Sequence, residues 1–150
     1  MTGLSAPAVI DPATVTGPVT ISALAGNDMI DASSLGLSGM RFIFDGGAGN
    51  DTLHGGAGDD VLIGGAGSDM FTFSGSNGTD TIADFQHGID MIGISGYGAA
   101  LSSFSDLAGH ISQVGADVDI DLNARVAGAG TIVLQHTQLG TIGATDFRFS

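Results

Sequence analysis

The chain contains no cysteine, no tryptophan, no lysine and no glutamate. Without cysteine there is no sign of a disulfide framework and no thiolate metal centre. Without lysine, only Arg41, Arg125 and Arg148 face 16 acidic residues, and the net charge is −13. That balance argues against nucleic acid, which needs basic side chains to neutralise phosphates, and against anionic membrane surfaces. No stretch approaches the roughly 18 apolar residues of a membrane helix. The opening MTGLSAPAVIDPATVTG has no basic n-region, and Pro7, Asp11 and Pro12 break its apolar stretch, so no N-terminal signal peptide is expected. The missing glutamate carries the most information. Helical acidic proteins use it freely, whereas aspartate disfavours helix interiors and suits turns, short reach and hard cations.

What is present is glycine, 26 of 150 residues, and a hydrophobic fraction of 43% in short patterned runs, enough for a folded chain of one-domain size. Residues 1–18 hold all three prolines and read as a linker. VTIS (19–22), MID (29–31) and RFIF (41–44) read as strands between Gly/Asp-rich loops. Then one nine-residue phrase occurs three times: GGAGNDTLH (46–54), GGAGDDVLI (55–63) and GGAGSDMFT (64–72). Position six is Asp51, Asp60 and Asp69; position eight is Leu53, Leu62 and Phe71. One large apolar residue per nine cannot make an amphipathic helix. Six loop residues followed by three extended ones make half a turn of a coil, so repeats n and n+2 stack as parallel strands about 4.8 Å apart. Ala25-Gly26-Asn27-Asp28 is a degenerate repeat by the same pattern. Counting half turns, the loops ending at Asp28, Asp51 and Asp69 share one edge, and the 32–40 loop shares the other with the loops ending at Asp60 and Asp80.

Glycine turns tightly and leaves carbonyls bare, and aspartate adds a fixed charge. Two stacked loops then offer about six oxygens, the ligand set of Ca²⁺. Mg²⁺ resists the dehydration such a cage demands, and zinc or copper would want cysteine or a histidine pair, which the scattered His54, His87, His110 and His136 do not form. The EF-hand is excluded, because its position-six glycine and terminal glutamate are missing.

These three phrases resemble the repeats-in-toxin (RTX) calcium-binding nonapeptide, GGxGxDxUx. GTDTIADFQHGIDMIGI (78–94) resembles the segment closing the β-roll of serralysin-type proteases and alginate-epimerase R-modules. DVDIDL…GTIVLQHTQLGTIGATDFRFS resembles the end of those modules. The likeness spans residues 24–150. It implies an all-β fold, a right-handed parallel β-roll holding Ca²⁺ between loops, with export by a type I (ABC) machinery through an uncleaved C-terminal signal. Carried over residue by residue, it implies Asp51, Asp60 and Asp69 as carboxylate ligands. Carbonyls of Gly46, Gly47, Ala48 and Gly49, of Gly55, Gly56, Ala57 and Gly58, and of Gly64, Gly65, Ala66 and Gly67 join them. Asn50 and Asp59 at position five are second side-chain ligands, while Ser68 departs from that pattern and weakens the third loop. Asp80 and Asp90 match the capping segment, Asp84 less clearly, and Asp28 carries over more weakly because its repeat lacks both leading glycines. Three to five ions are expected; about four would take the net charge of −13 to roughly −5 and relieve self-repulsion.

The roll is expected over 19–85. A capping and secretion-signal region is expected over 86–150: a short helix on the spacing of Phe104, Leu107, Ala108, Ile111 and Val114, then a hairpin of DVDIDL (117–122) and TIVL (131–134) around RVAGAG. Alternation puts Asp117, Asp119 and Asp121 on the wet face of their strand, and DFRFS reads as a last edge strand and a secretion tail. No nucleophile–base pair, HExxH or Walker loop is present, so the expectation is a non-catalytic module of a larger secreted or cell-surface bacterial protein, with its passenger upstream. The alternative is a surface-layer, adhesin or polysaccharide-binding module; three arginines and no lysine weaken a polyuronate partner.

Overall fold

The computed structural model describes residues 16–36 and 39–150, so most of the expected linker lies outside the described residues. Chain direction alternates between two parallel stacks. Strands β1 (Val19–Ser22), β3 (Phe42–Ala48), β5 (Val61–Ala66) and β7 (Thr79–Ile82) pair in that order in one sheet. Strands β2 (Met29–Asp31), β4 (Thr52–His54), β6 (Met70–Ser74) and β8 (Met91–Ser95) pair in the other. Each nine-residue phrase therefore makes half a turn. Register follows the repeat: Leu62 lies beside Phe44, and Phe71 beside Leu53. The expected parallel β-roll is what the chain forms.

The core lies between the sheets and follows from period-two alternation. Position eight faces inward in all three phrases: Leu53, Leu62 and Phe71 are each 0% exposed. Phe42, Phe44, Phe73, Ile82, Ile92 and Ile94 complete the row, and burying each such side chain contributes about 1.5–3 kcal/mol. The apolar ladder holds the coils from inside, while the loops at the two edges carry the polar chemistry.

The sheets run on past residue 85. Strand β8 stacks on β6, and the last strand, β12 (Phe147–Phe149), pairs parallel to β8, so DFRFS closes one end of the second sheet. Asp146, fully buried, accepts from the Gly143 N–H (2.8 Å) and lies 2.7 Å from His87 Nδ1, pinning the tail to the loop before β8. In the first sheet, β11 (Thr131–Leu134) adds parallel to β7, and β10 (Asp117–Asp121) pairs antiparallel to β11 as the expected hairpin. Val118 and Ile120 point into the core while Asp117, Asp119 and Asp121 face outward.

The helical reading of 103–114 needs correction. Only one turn, α1 (Phe104–Leu107), is α-helical, capped where Ser102 and Ser103 N–H groups donate to the Asp106 carboxylate. A 3-10 turn, Ala108–His110, follows, and then strand β9 (Ile111–Val114) pairs with β10. Gly109 and the β-branched Ile111 and Val114 disfavour a continued helix, and an unpaired edge of β10 offers backbone partners instead. Val114 is 53% exposed and takes no part in the core. Among the described residues no helix is long and apolar enough to cross a membrane.

Candidate metal centre

Each turn between sheets is set by its glycines. Gly47 (φ 97°) and Gly49 (φ 141°) recur as Gly65 (φ 93°) and Gly67 (φ 140°), one coil later. At Gly49 a Cβ would fall 1.6 Å from the Gly26 carbonyl oxygen of the coil below, so backbone stacks directly on backbone. Position two of the degenerate first loop is Leu24, held at φ 81°, where an L-residue is strained.

The position-six aspartates form two rows, one along each edge. On the first edge the Asp28 N–H donates to Asp51 Oδ1 (2.7 Å), Asp51 N–H to Asp69 Oδ1 (2.8 Å), and Asp69 N–H to Asp90 Oδ1 (3.0 Å). On the second edge the Phe42 N–H donates to Asp60 Oδ1 (2.8 Å) and the Asp60 N–H to Asp80 Oδ1 (2.9 Å). One oxygen each of Asp51, Asp60, Asp69, Asp80 and Asp90 thus ties its coil to the coil before. The other oxygen, Oδ2 of Asp28, Asp51, Asp60, Asp69 and Asp80, is buried with no hydrogen-bond partner. An orphaned buried carboxylate oxygen costs several kcal/mol unless a cation meets it. Burial pushes Asp60 up to about 6 and Asp80 up to about 8, and it raises Asp69 and Asp90 as well; Asp59 near Asp60 and Asp80 adds like-charge repulsion.

A second set of free oxygens lies in the same loops. The position-four carbonyls of Gly26, Gly49 and Gly58 accept no hydrogen bond among the described residues, because the position-five N–H groups of the next coil are diverted elsewhere. Asn50 N–H donates to Asn27 Oδ1 (2.9 Å), Ser68 N–H to Asn50 Oδ1 (2.9 Å), and Thr79 N–H to Asp59 Oδ1 (2.8 Å). The position-five side chains, expected as ligands, have this clamping task, which sequence spacing did not reveal. Asp90 differs from the other rungs: its Oδ2 also accepts, from Gln86 N–H (2.9 Å). Asp84 places its two oxygens on the N–H groups of Gly64 (2.9 Å) and Gly65 (2.8 Å).

Among the described residues no three His, Asp, Cys or Glu side chains converge as a metal cluster. The donor set here is of another kind, one unpaired carboxylate oxygen from each of two loops and a bare position-four carbonyl from the lower one. Such all-oxygen donors suit a hard cation that tolerates irregular geometry, and calcium fits.

One repeat escaped the sequence reading. AGAGTIVL (127–134) follows the pattern of GGAGDDVL (55–62), with Ala127, Thr131 and Ile132 in the places of Gly55, Asp59 and Asp60, and the structure stacks it on the second edge with Ile132 beside Asp80. Phe42 holds the same place at the other end of that row. Relaxing the first glycine and the aspartate in the motif would have found the C-terminal copy.

The architecture defines a parallel β-roll with oxygen-lined loop edges. The family model of the RTX calcium-binding nonapeptide repeat matches residues 43–71, so this stretch consists of RTX repeats, a type that binds calcium. No curated protein matches the chain. Among solved structures, the extracellular lipase LipA from Serratia marcescens superposes with a TM-score of 0.54 at 24% identity, over 84% of this chain. The match covers 21% of the lipase, so the chain spans about a fifth of that protein, and the likeness is one of fold. The AlgE6R2 and AlgE6R3 subunits of the Azotobacter vinelandii mannuronan C5-epimerase also match, at 22% and 21% identity with TM-scores of 0.36 and 0.34. They align with 93% and 97% of this chain, and with 96% and 87% of their own.

Proposed function

We propose that the chain is a calcium-folded, non-catalytic module that carries the type I secretion signal of a larger exported protein in its C-terminal region. The carrying observation is the coincidence, loop by loop, of an orphaned Asp Oδ2 with a bare position-four carbonyl. Three intervals have both: 23–28 with 46–51, 46–51 with 64–69, and 55–60 with 75–80. Asp28, Asp51, Asp60, Asp69 and Asp80 supply the carboxylates. The glycine-loop carbonyls supply the remaining oxygens, and Asp90 ends the first-edge row.

Calcium supplies the positive charge that lets buried carboxylates stay ionised side by side. Where calcium is scarce, repulsion within a chain of net charge −13 keeps the glycine-rich loops expanded and fit for threading through an export channel. Outside the cell, millimolar calcium folds them, in the affinity range of about 10⁻⁴–10⁻³ M typical of extracellular modules. Folding also seats the tail as β12 on β8, so a signal in that tail is withdrawn once export is complete.

The test is far-UV circular dichroism of the chain, titrated with Ca²⁺ and separately with Mg²⁺ from a chelated start. A cooperative gain of β-signal specific to calcium is expected. A spectrum already complete in chelator and indifferent to calcium would refute the reading.

A further inference from the structure

The last interval on the second edge, between the loop 75–80 and the repeat 127–132, is built unlike the others. Its position-four carbonyl, Gly78 O, is not bare: it accepts from the Thr131 N–H at 2.8 Å. Its position-one carbonyl, Gly75 O, accepts from the Tyr97 hydroxyl at 2.8 Å. Position three is alanine in the three full repeats but Asn77 here, 1% exposed. The Asn77 amide donates both to Tyr97 Oη (2.6 Å) and to Ala129 O (3.1 Å), the latter an acceptor that only the NH2 end of the side chain can serve. Where the upper loop should carry an aspartate it carries Ile132. Both marks of the calcium intervals, the second carboxylate and the free position-four carbonyl, are gone; the Gly75 and Gly78 carbonyls meet O–H and N–H donors instead, and the one orphaned oxygen left by the loop's amide is the neutral Asn77 Oδ1.

We propose that Asn77 and Tyr97 do in this interval what calcium does in the others, so that the C-terminal end of the roll locks without an ion. The inference rests on the calcium reading above, since it explains where the ion row on the second edge stops. Hydrogen-bond donors are present in the chain at synthesis and need no external concentration, so this interval forms whenever its strands meet. Burial and the neighbouring Asp80 hold the Tyr97 hydroxyl protonated, up to about 12, which keeps it a donor at any physiological pH. The adjoining strands β7 and β8 then present the Asp80 and Asp90 side chains to the coil below.

Tyr97 is the one tyrosine of a chain without tryptophan, so its near-ultraviolet dichroism reports on this interval alone. The full-length chain in chelator is expected to keep the tyrosine band while its far-UV β-signal remains incomplete. Amide exchange in chelator should be at least about ten-fold slower at Thr131 than at Asn50 and Ser68, whose partners lie in calcium intervals. Asn77→Asp replaces the amide donors with a carboxylate, and the tyrosine band should then vanish in chelator and return with calcium. The inference is overturned by loss of the wild-type tyrosine band in chelator, by equal exchange at the three amides, or by a full band in chelated N77D. Should N77D fail to fold even with calcium, the wild-type band and exchange rates still decide. A calcium-indifferent far-UV spectrum would instead sink the calcium reading, whatever the tyrosine band does.

Discussion

The two edges of the roll use one motif to different ends. The first carries a row of four acids, Asp28, Asp51, Asp69 and Asp90, one per coil. The second carries two, Asp60 and Asp80, sealed between Phe42 below and Ile132 above. An apolar residue at each end removes both the repulsion and the hydration that further acids would bring. The result is the strongest perturbation of an aspartate among the described residues, with Asp80 raised to about 8 and Asp60 to about 6, chiefly by burial. The first edge spreads its charge over more rungs and reaches the described N-terminal coil. Edge one is therefore a row open to extension, and edge two is a short row with built-in ends.

The largest effect should come from backbone stacking on the first edge. Gly49→Ala drives a methyl to 1.6 Å from the Gly26 oxygen at φ 141°, whereas Gly75→Ala on the second edge meets nothing within 4 Å and suffers only its φ of 74°. In saturating calcium we expect G49A to lose about 3 kcal/mol or more and G75A about 1 kcal/mol, read as melting temperatures. Equal losses would mean that the coils do not bear on one another through these glycines.

Charge removal should separate the edges next. Asn keeps the Oδ1 that accepts the neighbouring N–H and deletes the charge on the orphaned oxygen. In chelator at pH 8, Asp80→Asn should raise the β-signal more than Asp69→Asn, with a gain on the order of 2–3 kcal/mol at Asp80, because its burial penalty is larger. With calcium present both variants should need at least about ten-fold more ion, since each loses a carboxylate ligand. A larger gain in chelator for D69N would reverse the electrostatic ranking of the edges.

Acidity tests the same ranking without mutation. Asp60 and Asp80 have folded values above the aspartate value of 3.8, so their contribution is full below that value. It is lost as pH rises, first through about 6 at Asp60 and then through about 8 at Asp80. The chelated chain should therefore show more β-structure at pH 4.5 than at pH 8.5. Calcium inverts the trend, because it binds the ionised carboxylates and its affinity climbs with pH. A chelated chain that folds better at pH 8.5 would contradict burial as the cause.

Much of this was legible in the sequence because the repeat is strict. Period nine placed the strands, and position eight placed Leu53, Leu62 and Phe71 in the core. Half-turn counting assigned Asp28, Asp51 and Asp69 to one edge and Asp60 and Asp80 to the other. What remained hidden depended on partners distant in sequence. Asn77 looks like an ordinary loop asparagine until Tyr97 and Ala129, 20 and 52 residues away, arrive beside it. Nothing in Ile111–Val114 alone says strand; β10 decides it. The repeat at 127–134 was concealed by Ala127 at its first glycine and Ile132 at its aspartate, and Ile132 is the residue that gives it a different role.

The smallest expected effect concerns the first coil, where the open edge begins. Leu24 stands at position two, the place of Gly47 and Gly65, and adopts their left-handed conformation at φ 81°. Its side chain is 75% exposed, so it has little packing to set against the strain. Leu24→Gly relieves that strain and restores the motif, while the greater freedom of glycine in the unfolded chain offsets part of the gain. A net stabilisation of about 0.5–1 kcal/mol in saturating calcium is expected, with a modest tightening of the ion between the 23–28 and 46–51 loops, because the Leu24 carbonyl already accepts the Ala48 N–H at 2.9 Å. Calorimetric melting with and without calcium reads both. A destabilised L24G would show that Leu24 covers this end of the roll and is kept for that contact, and the first edge would then be sealed at its N-terminal coil as the second is by Phe42.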